Sequence, residues 1–348
     1  MQNWSSVIAG KKVLITGGTG SVGVELVRWI LTASPKVVRI YSRDEGKQYA
    51  MSRAFERHKN LRFLIGDVRD KDRLYRAFED IDIVFHLAAM KHVEACEYNP
   101  FEAIKTNVFG TQNVIDCAIE RGVKKVVFAS TDKAVNPTNA MGTSKLMAEK
   151  LIVAAHYHRG PHDVVFCAVR FGNVLNSSGS VIPTFLERLR RGYPLELTDP
   201  EMTRFFVSLN EAAQLLLQAA AMAQGGEIFC RFMPVIRLID LASVLAEALG
   251  VAPRFEVVGP RAGEKMFEEL YTEEEAKRTY RVDDLFIITP QLGAKPKLPD
   301  DAVPVAPVGL SSADIRPLHP KAIFRLLREE GIIPAQGDFA PEYREMRL

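Results

Sequence analysis

Short β-branched runs alternate with amphipathic or polar stretches through the first half of the chain, and this rhythm restricts the fold more than any other feature. KKVLIT, KVVRIYS, LRFLIGD, IDIVFHLA, KKVVFAS and DVVFCAVRF are each apolar along most of their length. A strand apolar on successive residues has both faces covered, as the strands of a parallel sheet between helices do. Between these runs lie SVGVELVRWILTAS, the polar segment 44–58 and a helical stretch from Gly142 to His158. The pattern predicts βαβ units in an α/β, doubly wound parallel sheet of six or seven strands. Such a sheet binds its ligands beyond the carboxyl ends of the strands, so the chemistry is expected there.

Past Asn173 the rhythm loosens into SSGSVIPTFLERLRRG, SLNEAAQLLLQAAAMA and LIDLASVLAEALG, separated by glycines and prolines. These predict a smaller, mostly helical domain built onto the sheet, with EIFCRF returning to the sheet edge. The expected boundaries are 1–173 for the sheet domain, 174–290 for the cap and 291–348 for a tail. Within the tail a proline-rich, extended stretch, Pro296 to Val308, precedes the short helix PKAIFRLLREEG. A length of 348 residues suits one large domain or two coupled ones.

Charge and cysteine usage exclude several classes of function. Lys plus Arg at 45 against Asp plus Glu at 43 gives a net charge of +2, which leaves no basic footprint for nucleic acid or a lipid surface. Cys96, Cys117, Cys167 and Cys230 lie far apart, which fits reduced thiols rather than a disulfide framework or a zinc site. His86, His92, His156, His158 and His162 form no ligand set either, so no metal is expected. MQNWSSVIAGKK lacks the apolar core of a signal peptide, and Gln214 and Gln218 interrupt the most apolar later stretch, Ala212 to Ala223. A soluble, cytoplasmic protein without a membrane anchor is expected.

The first strand runs into TGGTGSVG, which puts Gly17, Gly20 and Gly23 at a strand-to-helix turn. Glycine permits the tight turn and the close backbone approach, and the N–H groups at the helix start, around Ser21 and Val22, suit a pyrophosphate. A dinucleotide is therefore expected. After the second strand comes Ser42, Arg43, Asp44 and, further on, Lys47. Arg43, helped by Lys47, favours the 2′-phosphate of NADP, while Asp44 keeps NAD possible and Arg43 has a second reading as a solvated loop charge. Asp67 and Val68 after the third strand, and Ala88 and Ala89 after the fourth, lie where adenine and the nicotinamide ribose would cross the sheet. Asp67 is either an acceptor for the adenine amino group or a turn residue.

The fifth strand ends in Ser130, Thr131, Asp132 and Lys133, and NPTNAMGTSK follows. Taken in order, TGGTGSVG, YSRDEGKQ, HLAAMKHV, STDKAVNPTNAMGTSK, VRFGNVLNSSGSVIP, TRFF and RAGEK span most of the first 290 residues. With these pieces the chain resembles an extended short-chain dehydrogenase/reductase of the Rossmann type, and specifically the nucleotide-sugar 4,6-dehydratases of the bacterial polysaccharide biosynthesis family.

The resemblance implies a UDP-linked N-acetylhexosamine, most plausibly UDP-GlcNAc, converted to a 4-keto-6-deoxy product by internally recycled NADP. It assigns the elimination to Asp132 as acid and Lys133 as base, provided their pKa values are shifted towards neutrality. Lys145 would bind the nicotinamide ribose. The family's usual Tyr-x-x-x-Lys is departed from, because Met141 stands where the tyrosine would be and a thioether accepts no proton. The C4 base is then Asp132, or Thr131 relayed through it.

For substrate the likeness points to Lys91, which also borders the cofactor, and to Asn107, Arg170, Asn173, Val174, Arg204, Arg261 and Glu264. Guanidinium groups suit a diphosphate and a carboxylate suits ribose hydroxyls. Two other readings share these residues: a UDP-sugar 4-epimerase, and a catalytically silent NADP-binding regulatory protein suggested by Met141. The family likeness also implies a homodimer or larger homo-oligomer, with the Gly142 to His158 segment as a pairing surface.

Overall fold

The computed structural model describes residues 4–293 and 296–334. The last part of the expected tail, 335–348, lies outside the described residues. Each apolar run named above forms a strand: β1 (Lys12–Thr16), β2 (Val37–Ser42), β3 (Leu61–Ile65), β4 (Ile83–His86), β5 (Lys125–Ala129) and β6 (Val165–Arg170). They pair in parallel in the order β3-β2-β1-β4-β5-β6, and Ile228–Arg231 extends the parallel set beyond β6. This is the Rossmann arrangement, a parallel-dominated sheet with flanking helices. Three antiparallel strands, Leu285–Ile288, Thr279–Val282 and Val303–Pro304, lengthen the same edge. The last of these comes from the proline-rich stretch.

Period-two alternation divides the core between the two faces of the sheet. Leu14, Val84, Val126 and Phe166 point to one side, against Leu74, Val114 and Ile152 of helices Lys71–Ala77, Gly110–Glu120 and Ala140–His158. Val13, Ile15, Phe85 and Val127 point to the other, against Leu26 and Ile30 of Ser21–Thr32 and Leu216 of Leu209–Met222. Burying both faces explains why these strands lack polar alternation in the sequence.

A third cluster lies outside the sheet. Ile182, Phe185 and Leu189 of helix Val181–Arg190 pack with Leu241 and Leu245 of Leu238–Ala248. Ile323 and Leu327 of helix Pro320–Glu329 complete that cluster, so this part of the tail is built into the core of the cap. A second tail segment, Leu310–Ser311, pairs antiparallel with Glu269–Tyr271. Among the described residues no helix is long and apolar enough to cross a membrane. The four cysteines are free and buried.

Candidate active site

At the carboxyl end of β1 the chain turns sharply into helix Ser21–Thr32. Gly17 has φ +69, and a Cβ there would lie 2.7 Å from the backbone nitrogen of Ala88. A side chain at Gly23 would meet the Gly18 carbonyl oxygen at 2.6 Å. The turn therefore packs backbone to backbone and tolerates only glycine at these points. Gly20 caps the helix without any side-chain hydrogen bond, which leaves first-turn N–H groups for a ligand. Ser21 and Lys91 face the same loop of the cap: Ser21 Oγ accepts from the Ser178 N–H at 3.1 Å, and Lys91 Nζ donates to the Ser178 carbonyl at 2.6 Å.

Beyond β2, the Asp44 carboxylate caps helix Glu45–Ala54 by accepting from the Lys47 N–H. That bond draws one carboxylate oxygen away from any ribose. Arg43 and Lys47 remain largely exposed, with Arg43 3.8 Å from Asp67. Asp67 also pairs with Arg69 at 2.7 Å. Burial acts against the Asp67 carboxylate, but the Arg69 hydrogen bonds hold its pKa below the ordinary value.

The centre of the site forms where β5 ends. Thr131 caps a single 3-10 turn, Asp132–Ala134, and the Asp132 N–H is tied to the Phe171 carbonyl just after β6. Asp132 is fully buried. Its Oδ1 accepts from Thr131 Oγ1 at 2.9 Å and from Lys133 Nζ at 3.0 Å, while Oδ2 has no hydrogen-bond partner. Lys133 Nζ also donates to Asn173 Oδ1 at 2.9 Å. Ser130 Oγ, buried beside them in sequence, is likewise unpartnered. Buried polar groups are seldom left so, and both residues follow the carboxyl end of β5, where an open sheet of this kind receives its ligand.

Burial pushes the Asp132 pKa up; Lys133 opposes the shift and the charge of Glu268 adds to it. For Lys133, burial lowers the pKa, yet Asp132 and Glu268 together hold it above the usual lysine value. The surroundings thus raise the proton affinity of both members of the pair. Only Asp132 moves in the direction the sequence reading asked for.

Met141 and Lys145 share one face of helix Ala140–His158, whose N-cap is Asn139. Met141 is buried with Cys96 and Ala103, against Met90 and Val93, an apolar setting without proton chemistry. Lys145 points back to β5, donating to the Ala129 carbonyl at 2.5 Å with its Nζ 4.1 Å from the centre of the Phe128 ring. Burial brings its pKa down to about 7, against the pull of Glu149 one turn further along. His86 is fully buried between Thr16 and Thr111, and burial lowers its pKa to about 3. It is a neutral structural residue.

Several residues expected at the substrate are occupied elsewhere. Arg170 is buried and bonds Glu149, Glu275 and the Leu270 carbonyl through all its nitrogens, which makes it a structural cross-link rather than a phosphate fork. Asn107 is consumed by the Met90 backbone and Ser144, so it fixes the loop after β4 and does not face a sugar. Arg204 is buried and donates to the carbonyls of Thr203, Lys265 and Met266. Asn173 and Val174 form a short strand beside Phe206 and Val207, with Asn173 facing Lys133. Arg261 is half exposed and pairs with Glu94 and Glu196. Glu264 accepts from Thr198 and from the Arg261 N–H, giving a separate polar cluster on the cap.

A model of the polysaccharide biosynthesis protein family matches residues 13–290. The chain belongs to that family. A UDP-N-acetylglucosamine 4,6-dehydratase (inverting) of Campylobacter jejuni is 44% identical over 285 residues, 81% of this chain and 84% of its own length. A protein of Rickettsia typhi named UDP-glucose 4-epimerase is 43% identical over 279 residues, 79% and 81% of the two chains. The X-ray structure of Pen from Bacillus thuringiensis superimposes with a TM-score of 0.90 at 44% identity, covering 94% of this chain and 99% of that one. The extended short-chain dehydrogenase/reductase reading and the α/β Rossmann fold class both hold. The wider group is that of nucleotide-sugar dehydratases and epimerases.

In this polysaccharide biosynthesis family member, two site residues escaped the sequence reading. Ser130 opens the quoted STDKAVNPTNAMGTSK but was given no role, and its place at a strand end was the available signal. Glu268 lies in KMFEEL, far along the chain, and only folding brings its Oε1 to 3.5 Å from Lys133 Nζ. No spacing rule would have found it.

Proposed function

We propose that the protein is an NADP-dependent UDP-N-acetylglucosamine 4,6-dehydratase, a lyase that forms a UDP-4-keto-6-deoxy-N-acetylhexosamine for surface glycan or deoxy-aminosugar synthesis. The observation carrying this reading is the adjacent pair of buried Asp132 and partly exposed Lys133, with Asp132 Oδ2 free to accept. An epimerase exchanges one hydride at C4; elimination additionally needs an acid at O6 and a base at C5, which two neighbouring proton carriers provide.

The residues fit a dinucleotide. The N–H groups of Ser21, Val22 and Gly23 would hold its pyrophosphate, Gly20 closes the turn by donating its own N–H to the Gly17 carbonyl, and Gly17 would admit the ligand's approach. Arg43 and Lys47, exposed while Asp44 serves as a cap, support the 2′-phosphate of NADP over NAD. Asp67 and Val68 would border adenine, and Ala88, Ala89, Lys91 and Lys145 the nicotinamide half. Bound there, the cofactor supplies a hydride acceptor that later returns what it took.

The chain's own groups handle the protons. Asp132 takes the C4 hydroxyl proton on Oδ2, directly or through Thr131, whose hydroxyl already donates to Oδ1. The raised Asp132 pKa then makes it an acid able to protonate the departing C6 hydroxyl. The new ketone acidifies C5, and Lys133 removes that hydrogen and later gives a proton back. Lys133 rests as an ammonium, so it must shed a proton first. Arg261 and Glu264 would receive the nucleotide, Arg261 exchanging Glu94 or Glu196 for phosphate.

The cofactor domain is then 1–173, to which strands Ile228–Arg231, Thr279–Val282 and Leu285–Ile288 return; the substrate cap is 174–290, completed by helix Pro320–Glu329 of the 291–348 tail; and the enzyme is assigned to the cytoplasm. The enzyme is also a homo-oligomer. Met147, exposed on helix Ala140–His158, and Tyr98 and Phe101 on the helices packed against it, support a pairing surface there.

Incubation with UDP-GlcNAc in deuterated water, followed by NMR and mass spectrometry, tests the reading. Loss of water with deuterium at C5 is expected, and coupling constants then report the C5 configuration. UDP-GalNAc without loss of water would assign the epimerase, which the Rickettsia typhi relative's name favours. Cofactor binding with unchanged substrate would favour the silent protein.

A further inference from the structure

The acid–base pair has a third charged partner that the reading above leaves without a task. Glu268 is buried, with Oε1 3.5 Å from Lys133 Nζ and Oε2 3.6 Å from Lys265 Nζ. Arg204 Nε stands 3.8 Å from Oε1, and Glu268 Oε2 has no hydrogen bond. Arg204 and Lys265 are both committed to backbone carbonyls, Lys265 to that of Val135. The carboxylate thus stands among three cationic side chains while its Oε2 keeps acceptor capacity.

Its backbone is fixed by the tail. The Glu268 N–H donates to Ser312 Oγ at 3.0 Å, and the Ser312 N–H donates to the Glu268 carbonyl at 2.8 Å. Ser312 Oγ also meets Thr203 Oγ1 at 2.9 Å, beside Arg204. A residue with no other evident role is thus held at Lys133 from three parts of the chain.

We propose that Glu268 is a positioning residue of the acid–base centre, the counter-ion of Lys133 at rest and the acceptor of its proton during turnover. This rests on the dehydratase reading. Once Asp132 holds the C4 hydroxyl proton, Lys133 passes one of its own to Glu268 and becomes an amine. The amine takes the C5 proton while Asp132 gives its proton to the C6 hydroxyl, which leaves as water. Lys133 then returns a proton to C5, and Glu268 hands back the one it stored. Asp132 and Glu268 end as carboxylates and Lys133 as an ammonium, so the protons balance. The charged groups facing Glu268 are Lys133, Asp132, Arg204 and Lys265.

The test combines turnover with a titration of the protein alone. Protein labelled with 13C at the aspartate carboxyl carbons, with Asp132 assigned through Asp132→Asn, gives the Asp132 midpoint by NMR. In Glu268→Gln, losing the nearby negative charge should lower that midpoint by about one pH unit. Water loss from UDP-GlcNAc should slow about 100-fold. Glu268→Asp, which keeps the charge and withdraws it by one methylene, should shift the midpoint in the same sense by less, and serves if the glutamine variant does not fold. An unmoved midpoint in the folded variants, or a shifted one with turnover intact, would overturn the proposal. Wild-type protein that removes no water overturns the dehydratase reading instead, and the titration still decides whether Glu268 is electrically coupled to Asp132.

Discussion

Two buried charge networks meet near the end of β6, and they differ in how completely they are satisfied. In the first, Arg170 bonds Glu149 twice and Glu275 twice, at 2.6 to 2.9 Å, with the Leu270 carbonyl taking a further bond at 3.0 Å. In the second, Asp132 and Glu268 are as enclosed and Lys133 only partly so, yet Asp132 Oδ2 and Glu268 Oε2 have no hydrogen bonds. An interior that can satisfy one carboxylate pair so fully could satisfy the other. The unfilled acceptors sit where the sheet presents its carboxyl ends, where a ligand is expected. The satisfied network is read as architecture and the unsatisfied one as chemistry.

Removing the central charge from each network should therefore give opposite results. Arg170→Met would leave Glu149 buried without its partner, which costs about 3–5 kcal/mol of stability. Urea or thermal unfolding should show that loss, while turnover per folded molecule stays near wild type. Asp132→Asn should do the reverse. Lys133 keeps Asn173 and Glu268, so stability should change by only about 1 kcal/mol. Water loss from UDP-GlcNAc should fall about 10²–10⁴-fold. Full turnover in Asp132→Asn would remove Asp132 from the mechanism and erase the contrast between the networks.

The contrast also explains what the sequence made legible. β1 to β6 stood out because both faces of each strand are buried, which writes an apolar run into consecutive residues. Asp132 and Lys133 were legible through the family resemblance of the motif that holds them, with an adjacent acid and amine suiting the elimination. Arg170 lies in the same kind of place, and its partners Glu149 and Glu275 come from two helices, 21 and 105 residues away along the chain. Nothing local distinguishes an arginine that will meet two carboxylates from one that will meet a phosphate. Glu268 was hidden for the same reason, as one of several acidic residues whose burial only the fold decides. Strand identity is encoded locally, whereas the partner of a buried charge is set by long-range packing.

Lys145 sharpens the comparison because it lies between the networks, one turn from Glu149 but bonded to Ala129. Burial holds its pKa at about 7 in the folded protein, below about 10.4 in an unfolded chain. Between those values the unfolded chain carries a proton that the folded protein lacks, so raising the pH favours folding. The slope is at most about 1.4 kcal/mol per pH unit. Chemical denaturation at intervals from pH 7 to 9 should show wild-type stability rising more steeply than that of Lys145→Met. Parallel curves would mean that Lys145 stays charged in the fold, held by Glu149 as a member of the satisfied network.

Arg43 tests the smallest effect, on a charge outside both networks. Its side chain is 66% exposed and its nearest acidic partner, Asp67, is already held by Arg69. Removing it should leave stability and the acid–base centre untouched, since an exposed ion pair contributes little. If the guanidinium instead meets a 2′-phosphate, Arg43→Ala should weaken NADP binding about tenfold, the worth of one charge-assisted contact in a solvated site. NAD binding should not change, because it offers no phosphate there. Calorimetry with both dinucleotides separates the cases. An equal change for the two cofactors, or none, would return Arg43 to the surface and pass the choice of cofactor to Asp44, whose Oδ1 serves the helix cap and whose Oδ2 would then meet a ribose.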